Sequence, residues 1–571
     1  MRKFGSSPTK TLAYSVVPHG IAGAELTLCR PGHKLRAAHL VLVIKPSLGS
    51  SAPARPSKGY SRGPAGPGPT PECVSGRYFF ATRHAGRLRV RTHAHMSNDF
   101  IQRVREFSDD MISYTADHVP IENGVPQGLN LKTKEEVMAY IQAHEITSIR
   151  LWFTDILGFV KMFDVTPSEV EGAFDEGMGF DGSSVQGYQR IQESDMVAFP
   201  IPETAQFVPF QVGPARCMRM FAEIRSPDGT PYAGDPRVIL GRELGRLQEH
   251  GFSHMNIGPE AEFFYFASDE APDVLDKAGY FDMVPVDVGD DFREATRFAL
   301  QAMGINVEYM HHEVAHSQHE IDLKYSDALR MADNLQTYKW LVKEIARRNG
   351  IHATFMPKPL SGQNGSGMHV HLSIFNDETS NAFYDATDPH HLSKTARHFL
   401  AGILANARGM CLITNQWYNS YKRLVPGYEA PVYIAWAERN RSALVRIPMY
   451  KPGNEVATRI ELRFPDAACN PYLAFAVMLS SGLQGLEDEL PLADPVTDDL
   501  YKYTSVQREQ QGIDSLPHDL YDAVQAVASS EVVRATLGDH VLDKLLETKL
   551  AEYDGYRLHV SHREFDESIN L

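Results

Sequence analysis

The segment from Lys358 to Ser373 constrains the fold and chemistry of this chain more than any other stretch. It reads Lys-Pro-Leu-Ser-Gly-Gln-Asn-Gly-Ser-Gly-Met-His-Val-His-Leu-Ser, a glycine-rich loop followed by alternating apolar and polar residues. Glycines let backbone N–H groups approach a ligand closely. If the residues after them form a strand, His369, His371 and Ser373 share one face. The segment therefore predicts a loop and a strand that line a binding site together.

Carboxylates with the same alternation occur elsewhere in the chain. Glu260 and Glu262 lie in Ile257-Gly-Pro-Glu-Ala-Glu-Phe-Phe-Tyr-Phe266, whose aromatic content indicates a strand. An isolated Glu-x-Glu is more often a solvated strand edge. Here an apolar run follows at once, which favours a buried strand. Two carboxylates held close together repel each other unless a cation lies between them, so the pair favours a metal site.

Two further segments supply more candidate ligands. His311-His-Glu-Val-Ala-His-Ser-Gln-His-Glu320 holds four His and two Glu, and Arg459-Ile-Glu-Leu-Arg463 alternates charged with apolar residues. Mg²⁺ and Mn²⁺ prefer oxygen ligands, and Mn²⁺ also accepts imidazole. Five Glu and one His on such strands would be enough to hold two of these ions.

Several arginines lie near Pro/Gly turns or in apolar strands rather than on amphipathic helices: Arg423, Arg441, Arg446, Arg459 and Arg463. Any single Arg could belong to a surface salt-bridge network instead. Arginine binds carboxylates and phosphates through a planar fork and stays charged. Metals together with clustered arginines are what phosphoryl transfer requires, because its transition state spreads negative charge over several oxygens.

With these motifs in view, the chain resembles the type I glutamine synthetases from about Lys132 to its C-terminus. The matching motifs, in family order, are Phe180-Asp-Gly-Ser-Ser184, Glu193-Ser-Asp-Met196, Gly258-Pro-Glu-Ala-Glu262, His311-His-Glu-Val314, Lys358–Ser373, Asn419–Pro431 and Asn440-Arg-Ser442. The long insertion of the adenylylated branch is absent, which indicates the shorter, feedback-regulated branch. The resemblance implies an α+β fold: a small N-terminal β-grasp domain, and a large catalytic domain with a curved, antiparallel-rich half-barrel sheet and helices.

The resemblance implies a role for each matched residue. Glu262, Glu313 and Glu320 would hold the metal that positions glutamate, and Glu260, His369 and Glu461 the metal that bridges the ATP phosphates. ATP would contact Glu308, His371, Ser373, Arg446 and Arg459. Glutamate would be held by Glu262, Asn364, Gly365, Arg423, Glu429, Arg441 and Arg463. The catalytic residues would be Asp155, Glu429, Arg441 and Arg446.

The implied reaction joins ammonia to the γ-carboxylate of L-glutamate through a γ-glutamyl phosphate, with ATP as co-substrate and Mg²⁺ or Mn²⁺ as cofactor. Arg441 and Arg446 would stabilise the transferring phosphoryl group, and Glu429 would close the site and help deprotonate ammonium. Asp155 would bind ammonium for the neighbouring subunit of a homododecamer. Two alternatives stay open: a γ-glutamyl-amine ligase acting on a polyamine or ethanolamine, and a structural protein that has lost catalysis.

The sequence departs from the family pattern at three places. Before Gln318 the family usually has Pro-Gly or Ala-Gly, whereas this chain has His316-Ser317. A lysine that contacts ATP in one branch is replaced by Val456. Tyr501 aligns with the tyrosine that the adenylylated branch modifies, but its surroundings match poorly, so we predict an unmodified loop residue.

Composition and charge bound the remaining possibilities. A chain of 571 residues that is 43% hydrophobic can bury more than one core. Its five cysteines show no pairing pattern, which predicts free thiols in a reducing compartment. No apolar run is long enough to span a bilayer. We therefore expect a cytoplasmic enzyme with neither a membrane nor a nucleic acid as partner.

Four regions are predicted along the chain. Residues 1–95 hold 15 Lys or Arg but only 2 Asp or Glu; they are interpreted as a mis-assigned start before Met96, a targeting peptide, or a basic arm for nucleic acid or for the acidic enzyme surface. Residues 96–131 would form a short helix and a linker. Residues 132–215 would form the β-grasp domain, with a helix opened by a Thr133–Glu136 capping box, and residues 216–571 the catalytic domain.

Overall fold

A computed structural model describes residues 98–185, 187, 195–449 and 451–571. The basic N-terminal segment, Met96 and the first two residues of the predicted motif at 193–196 lie outside the described residues. The strands, in chain order, are β1 (Ile121–Glu122), β2 (Val125–Pro126), β3 (Ser148–Thr154), β4 (Val160–Val165), β5 (Met178–Asp181), β6 (Asp195–Pro200), β7 (Gln206–Phe207), β8 (Cys217–Arg225), β9 (His254–Phe266), β10 (Val307–His312), β11 (Gln318–Leu323), β12 (Ser326–Asp327), β13 (His352–Thr354), β14 (Met368–Phe375), β15 (Tyr433–Ala437), β16 (Ala443–Arg446) and β17 (Ile460–Leu462).

The α-helices lie between and after these strands. They are α1 (Asn98–Ala116), α2 (Lys134–Ala143), α3 (Val170–Asp175), α4 (Pro236–Glu249), α5 (Asp290–Ala302), α6 (Ala328–Arg348), α7 (Lys394–Thr414), α8 (Ser420–Arg423), α9 (Pro471–Glu487), α10 (Ser505–Gln510), α11 (Leu520–Ala528), α12 (Glu531–Leu537), α13 (Asp539–Leu558) and α14 (His562–Ser568). The C-terminal part is mainly helical. None of the described helices combines the length and apolar character needed to cross a bilayer.

The small domain is built on a six-stranded sheet in the order β4-β3-β8-β6-β5, with β7 paired to β8. Helix α2 begins at the predicted capping box: the Thr133 hydroxyl accepts the N–H of Glu136, and the Glu136 carboxylate accepts the N–H of Thr133. These bonds satisfy two N–H groups that the first turn of a helix leaves open. Val137 and Ile141 then face the core of this domain.

The sheet of the small domain extends past residue 215, where the sequence placed its end. Strand β8 pairs in parallel with β3, with Ser148 opposite Cys217 and Trp152 opposite Phe221. The run from Cys217 to Arg225 is almost entirely buried. Its side chains complete the small core, so the expected boundary at 215/216 cuts through this sheet. Parallel pairing between strands so far apart in sequence leaves no local signal.

The region before the small domain is more structured than a helix and a linker. Helix α1 covers the helix predicted near residues 99–114 and buries Val104 and Met111 in the core of the large domain. After it, β1 and β2 form a short antiparallel hairpin in which Ile121 lies opposite Pro126. A hairpin of two-residue strands carries too few side chains to be recognised from alternation.

The large domain is built on a nine-stranded sheet in the order β10-β11-β9-β14-β17-β16-β15, with β12 and β13 also paired to β9. All of its described strand pairs are antiparallel except β15 with β16. Strand β9 alternates half-buried and buried residues up to Ala261, so one face packs on the apolar core while the other presents polar side chains. Helices α6, α7 and α9 bury apolar residues in the same core.

Candidate active site

The central strands of the large sheet bring three predicted metal ligands together. Strands β9 and β14 pair so that Glu260 lies opposite His369, and β14 and β17 pair so that His371 lies opposite Glu461. Each of Glu260, His369 and Glu461 offers one ligand atom within 4.8 Å of the others. We call these three residues the first cluster. The three side chains come together because the alternating polar residues of these neighbouring strands point to the same face of the sheet.

Basic side chains lie around the two carboxylates of the first cluster. The Glu260 carboxylate lies 3.0 Å from His369 Nδ1 and 2.7 Å from His371 Nε2. Glu461 pairs with the Arg446 guanidinium, and its Oε1 lies 3.2 Å from Arg463 Nε. Burial alone would raise the pKa of Glu260, but the two histidines outweigh it and hold that pKa well below its usual range. At Glu461, burial would also raise the pKa, but the two histidines and Arg446 outweigh it and lower that pKa.

A second group of ligands forms beside the first. His311, Glu313 and Glu320 each offer one atom within 4.8 Å of the others, and we call them the second cluster. His311 Nδ1 lies 3.6 Å from Glu313 Oε1, and its Nε2 lies 3.8 Å from Glu320 Oε2. The sequence assigned Glu262 to this group and gave His311 no role. In the structure Glu262 lies opposite Glu320 across the strand pair β9–β11, between the two clusters.

The carboxyl groups around the second cluster are poorly neutralised. Glu262 Oε2 accepts hydrogen bonds from Gln318 Nε2 at 2.6 Å and from the Gly367 N–H at 3.0 Å. Burial and the charge of Glu313 nevertheless raise the pKa of Glu262 to about 8. Burial, followed by the charges of Asp322 and Glu262, raises the pKa of Glu320 well above its usual range. Buried oxygen ligands that repel one another fit a hard divalent cation, which would relieve the repulsion.

Both clusters line one cavity of about 370 Å³, which we call the acidic cavity. Its predicted lining residues are Glu260, Glu262, Glu313, Glu320, Asn364, Gly365, His369, Arg423, Glu429, Arg441, Arg446, Glu461 and Arg463. Tyr280, Tyr309, His311, Val314, Gln318 and Tyr428 also line it without having been assigned there. His311 and Gln318 stood inside a quoted motif, so their spacing was the available signal; the aromatic residues carried none.

The basic side of the acidic cavity is built partly from backbone contacts. The buried Arg423 guanidinium donates to the carbonyl oxygens of Phe464 at 2.8 Å and Pro465 at 3.1 Å. Arg463 Nη1 donates to the Arg441 carbonyl oxygen at 2.7 Å. A side chain at Gly367 would overlap the Arg423 guanidinium. The close neighbour of Gly367 is therefore the Arg423 side chain, whereas the sequence predicted the close approach of a ligand to this loop.

The mouth of the acidic cavity is formed by exposed residues. Glu429 adopts a left-handed backbone conformation with φ 57°. Its Oε2 accepts a hydrogen bond from Asn364 Nδ2 at 2.8 Å, and its Oε1 lies 3.8 Å from Arg441 Nη1. The Arg441 side chain is 76% exposed. Because Glu429 and Arg441 are exposed, they can bind a ligand without breaking a buried contact.

A second cavity of about 410 Å³, which we call the nucleotide cavity, adjoins the acidic one and shares Glu260 and Tyr309 with it. The predicted ATP contacts Glu308, His371, Ser373 and Arg459 line it. Arg459 Nε donates to His371 Nδ1 at 3.0 Å, which leaves His371 Nε2 to face Glu260. Val456 lines the cavity where one branch of the family has lysine. Lys451, which the sequence did not single out, lines the same wall.

Asp155 lies apart from both cavities, in the turn between β3 and β4. Its buried carboxylate accepts the N–H groups of Leu157 at 3.0 Å and Phe159 at 2.9 Å, and its other oxygen lies 3.1 Å from Lys161 Nζ. Burial raises its pKa against these favourable contacts. Within its own chain Asp155 therefore fixes the turn. Its role toward a neighbouring subunit stays a prediction.

Tyr501 follows β15–β17 in sequence and lies in a short helical turn, Leu500–Lys502. Its hydroxyl is buried without a hydrogen-bond partner, and burial raises its pKa. A buried hydroxyl is a poor target for a modifying enzyme. The buried hydroxyl agrees with an unmodified Tyr501, which stays a prediction.

Comparison with known proteins identifies the family of both domains. Residues 145–227 match the family model for the glutamine synthetase β-grasp domain, and residues 233–568 match the one for the glutamine synthetase catalytic domain. The glutamine synthetases of Clostridium saccharobutylicum and Mycolicibacterium smegmatis are each 45% identical over 77% of this chain and 99% and 100% of their own. That of Thermus thermophilus is 46% identical over 76% of this chain and 98% of its own.

Solved structures give the same result for the fold. A structure titled as a GmaS/ADP complex superimposes with a TM-score of 0.69 and 29% identity, covering 76% of this chain and 99% of that one. Glutamine synthetase from Plasmodium falciparum superimposes with a TM-score of 0.69 over 77% of this chain and 99% of its own, at 24% identity. The expected α+β class, with a β-grasp domain and a curved half-barrel catalytic domain, is confirmed.

Proposed function

Because the chain belongs to the glutamine synthetase family, we propose that ATP binds in the nucleotide cavity, glutamate binds in the acidic cavity, and phosphoryl transfer takes place where the two meet. The protein is an ATP-dependent glutamate–ammonia ligase. This assignment of the two substrates to two cavities rests on one observation: both cavities are lined by Glu260 and Tyr309, so they share a wall. A γ-phosphate and a γ-carboxylate that enter from opposite sides would meet beside the first cluster.

The family uses a divalent metal, and the residues present fit one. We assign one ion to Glu260, His369 and Glu461 and the other to Glu262, Glu313 and Glu320, with His311 beside the second. Carboxylate oxygens with one imidazole favour Mg²⁺ or Mn²⁺ over softer metals. Such ions, when bound, neutralise charge on phosphate oxygens. Without the metal ions, the raised pKa values of Glu262 and Glu320 favour protonated carboxyl groups at the second site.

The chain's own residues then position the reactants. Asn364, Gly365, Arg423 and Arg463 hold glutamate, while Glu308, His371, Ser373 and Arg459 hold the nucleotide. The γ-carboxylate of glutamate attacks the γ-phosphorus of ATP, which forms the acyl phosphate and releases ADP. Arg441 and Arg446 stabilise the negative charge that spreads over the phosphoryl oxygens. Ammonia then attacks the acyl carbon, and phosphate leaves.

Ammonium must lose a proton before it can attack, and a carboxylate at the mouth of the cavity can accept that proton. Glu429 is placed for this step, since its Oε2 is held by Asn364 and its side chain remains half exposed. Residues 425–429 are exposed, which agrees with a segment that closes over the acyl phosphate and excludes water.

Product analysis of the purified full chain tests this function. With ATP, glutamate, Mg²⁺ or Mn²⁺, and ammonia, we expect stoichiometric glutamine and phosphate. Phosphate release with putrescine or ethanolamine but not with ammonia would instead identify the γ-glutamyl-amine ligase. Absence of turnover with every acceptor, in protein that binds nucleotide and metal, would favour the non-catalytic alternative.

We further propose a homododecamer in which the Asp155 turn of one subunit completes the active site of its neighbour. The support is the remoteness of this turn from both cavities of its own chain. A head-to-tail contact that closes into a ring gives every subunit the same shared site. Mixed oligomers of Asp155→Ala and Glu262→Ala subunits, each inactive alone, should regain activity, because some interfaces pair two intact residues. Mixed oligomers without activity, or an active monomer in light scattering, would refute the shared site.

A further inference from the structure

The loop between β10 and β11, which connects Glu313 to the strand that carries Glu320, is tied to the glycine-rich loop by one glutamine side chain. We call residues 313–317 the metal-ligand loop. Gln363 Oε1 accepts the backbone N–H of His316 at 2.9 Å, and Gln363 Nε2 lies 3.3 Å from His316 Nδ1. Both ends of one amide are thus spent on one residue of the opposite loop. A two-point contact fixes orientation as well as distance between the loops. We call it the Gln363 clamp.

A second glutamine braces the same two loops in the reverse direction. Gln318 Nε2 donates to the Gly365 carbonyl oxygen at 3.2 Å and to Glu262 Oε2 at 2.6 Å. Gln363 reaches from the glycine-rich loop to the metal-ligand loop, and Gln318 reaches back. The position of Asn364 and Gly365, which we assign to glutamate, is therefore linked to the position of the second cluster.

The glycine-rich loop is joined in turn to the exposed segment at the cavity mouth. The Lys358 ammonium donates to the Gln363 carbonyl oxygen and lies 3.9 Å from the centre of the Tyr428 ring. An ammonium over an aromatic face is attracted by the ring quadrupole. Asn364 also donates to Glu429. Gln363 and its neighbour Asn364 thus contact three segments that surround the glutamate subsite: the metal-ligand loop, Lys358 and residues 428–429.

We propose that Gln363 is a positioning residue that couples the second metal site to the glutamate subsite. The inference rests on the proposed function for the identity of the subsite, but its geometry concerns the loops alone. Gln363 lines neither the nucleotide cavity nor the acidic cavity. It therefore acts through His316 and Asn364 rather than by touching a reactant, and its removal should spare nucleotide binding.

The test compares Gln363→Ala, His316→Ala and the double variant with the wild-type full chain. Each hydrogen bond contributes modestly to holding the loops together, so loss of both clamp bonds should raise KM for glutamate about tenfold. His316→Ala keeps the backbone bond and should raise it only about threefold. In the double variant the two effects should not multiply, because both remove one contact. We expect KM for ATP and the melting temperature to stay near wild type.

Two further variants sharpen the test. Gln363→Glu keeps an acceptor for the His316 N–H and should recover most of the lost glutamate affinity. Gln525→Ala, on the exposed face of α11, is the matched control and should change nothing. An unchanged KM for glutamate in Gln363→Ala, or equal losses for ATP and glutamate together with a lowered melting temperature, would overturn the proposal.

Direct Mn²⁺ binding separates failure of this proposal from failure of the proposed function. Titration of the full chain with Mn²⁺ alone, followed by electron paramagnetic resonance, needs no turnover. We expect Gln363→Ala to weaken one class of Mn²⁺ site several-fold and to leave the other unchanged. If the wild type makes no glutamine but shows this difference, the clamp stands and the function falls. Identical Mn²⁺ binding isotherms for the wild type and Gln363→Ala would show that Gln363 does not influence the metal site, and would overturn the proposal.

Discussion

The two acidic clusters lie in one cavity but are neutralised in different ways. In the first, His369, His371, Arg446 and Arg463 surround Glu260 and Glu461, and the pKa of both acids is lowered. Around the second cluster, burial and the charges of neighbouring carboxylates raise the pKa of Glu320 and that of the adjacent Glu262. The difference shows that the carboxylates of the first cluster are held ionised by neighbouring side chains of the protein. The second keeps unbalanced charge that only a cation or a proton can offset.

The largest effect is expected from two of the four arginines that line the acidic cavity, Arg441 and Arg446. Arg441 is exposed at the mouth, whereas Arg446 is paired with Glu461 in the first cluster. Arg441→Ala should lower kcat about 10²-fold or more and raise KM for glutamate much less, because it removes a donor to the transition state. Its melting temperature should not change. Arg446→Ala should lower both kcat and the melting temperature, since Glu461 then loses a partner.

Steady-state kinetics and calorimetry on the two variants check this prediction. A variant of Arg441 with wild-type kcat and only a raised KM for glutamate would show that it merely binds substrate. Equal melting temperatures for both variants would show that Arg446 does not stabilise the first cluster, and would weaken the contrast between the two clusters.

The next effect concerns the pH dependence of metal binding. Between pH 5 and pH 8 the metal-free folded chain holds a proton on Glu262 that the unfolded chain has lost, because the folded pKa is raised to about 8. The folded state therefore loses stability as pH rises through this window. A metal requires the ionised carboxylate, so its affinity should rise by up to about tenfold per pH unit for each proton released.

Thermal shift with and without Mg²⁺ at pH 6 and pH 8 measures this effect. The stabilisation by Mg²⁺ should be larger at pH 8, and Glu262→Gln should reduce the difference. Glu260 contributes nothing in this window, because its pKa lies well below it. Equal stabilisation at both pH values would mean that the second cluster is as well neutralised as the first.

Paired substitutions of the neighbouring glutamates should shift metal-free stability in opposite directions. Glu260→Gln leaves His369 and His371 without their carboxylate and should lower the free energy of unfolding by about 1–3 kcal/mol. Glu262→Gln removes an acid that must take up a proton when the chain folds at neutral pH, so it should raise the free energy of unfolding by a similar amount, on the order of 1–3 kcal/mol. Urea unfolding in the presence of a chelator gives both values. A loss of stability in both variants would contradict the distinction drawn here.

How far the sequence predicted this arrangement depends on the range of each interaction. Period-two alternation was enough to predict strands that carry Glu260, His369 and Glu461, because side-chain direction follows from local geometry. That the three residues share one site was implied by the family resemblance. Alternation could not show that Glu262 turns toward Gln318, or that His311 joins Glu313 and Glu320, since both depend on strand register. The parallel pairing of β8 with β3 was missed for the same reason. A loop contact such as that of Gln363 has no period at all.

The smallest effect is expected at Ser317, where the chain departs from the glycine that the family pattern favours. Ser317 adopts φ 57°, a left-handed conformation that costs a non-glycine residue about 1–2 kcal/mol. Its hydroxyl accepts the N–H groups of Leu275 at 2.7 Å and Asp276 at 3.1 Å. A glycine would relieve the strain but remove two hydrogen bonds, one with a buried donor and one with a partly buried donor. Neutral hydrogen bonds contribute about 0.5–1.5 kcal/mol each, so their loss slightly outweighs the relief, and Ser317→Gly should destabilise the metal-free chain by about 1 kcal/mol or less.

This substitution also separates two explanations for the second cluster. If the Ser317 hydroxyl holds the metal-ligand loop in place, Ser317→Gly should weaken Mg²⁺ stabilisation as well as lower the melting temperature. Ser317→Ala is the informative control, because it keeps the strain and loses the hydroxyl, and should be less stable than the glycine variant. A glycine variant more stable than wild type would show that strain outweighs the hydrogen bonds. The second cluster would then owe its loop geometry to the Gln363 clamp and the Gln318 brace rather than to Ser317.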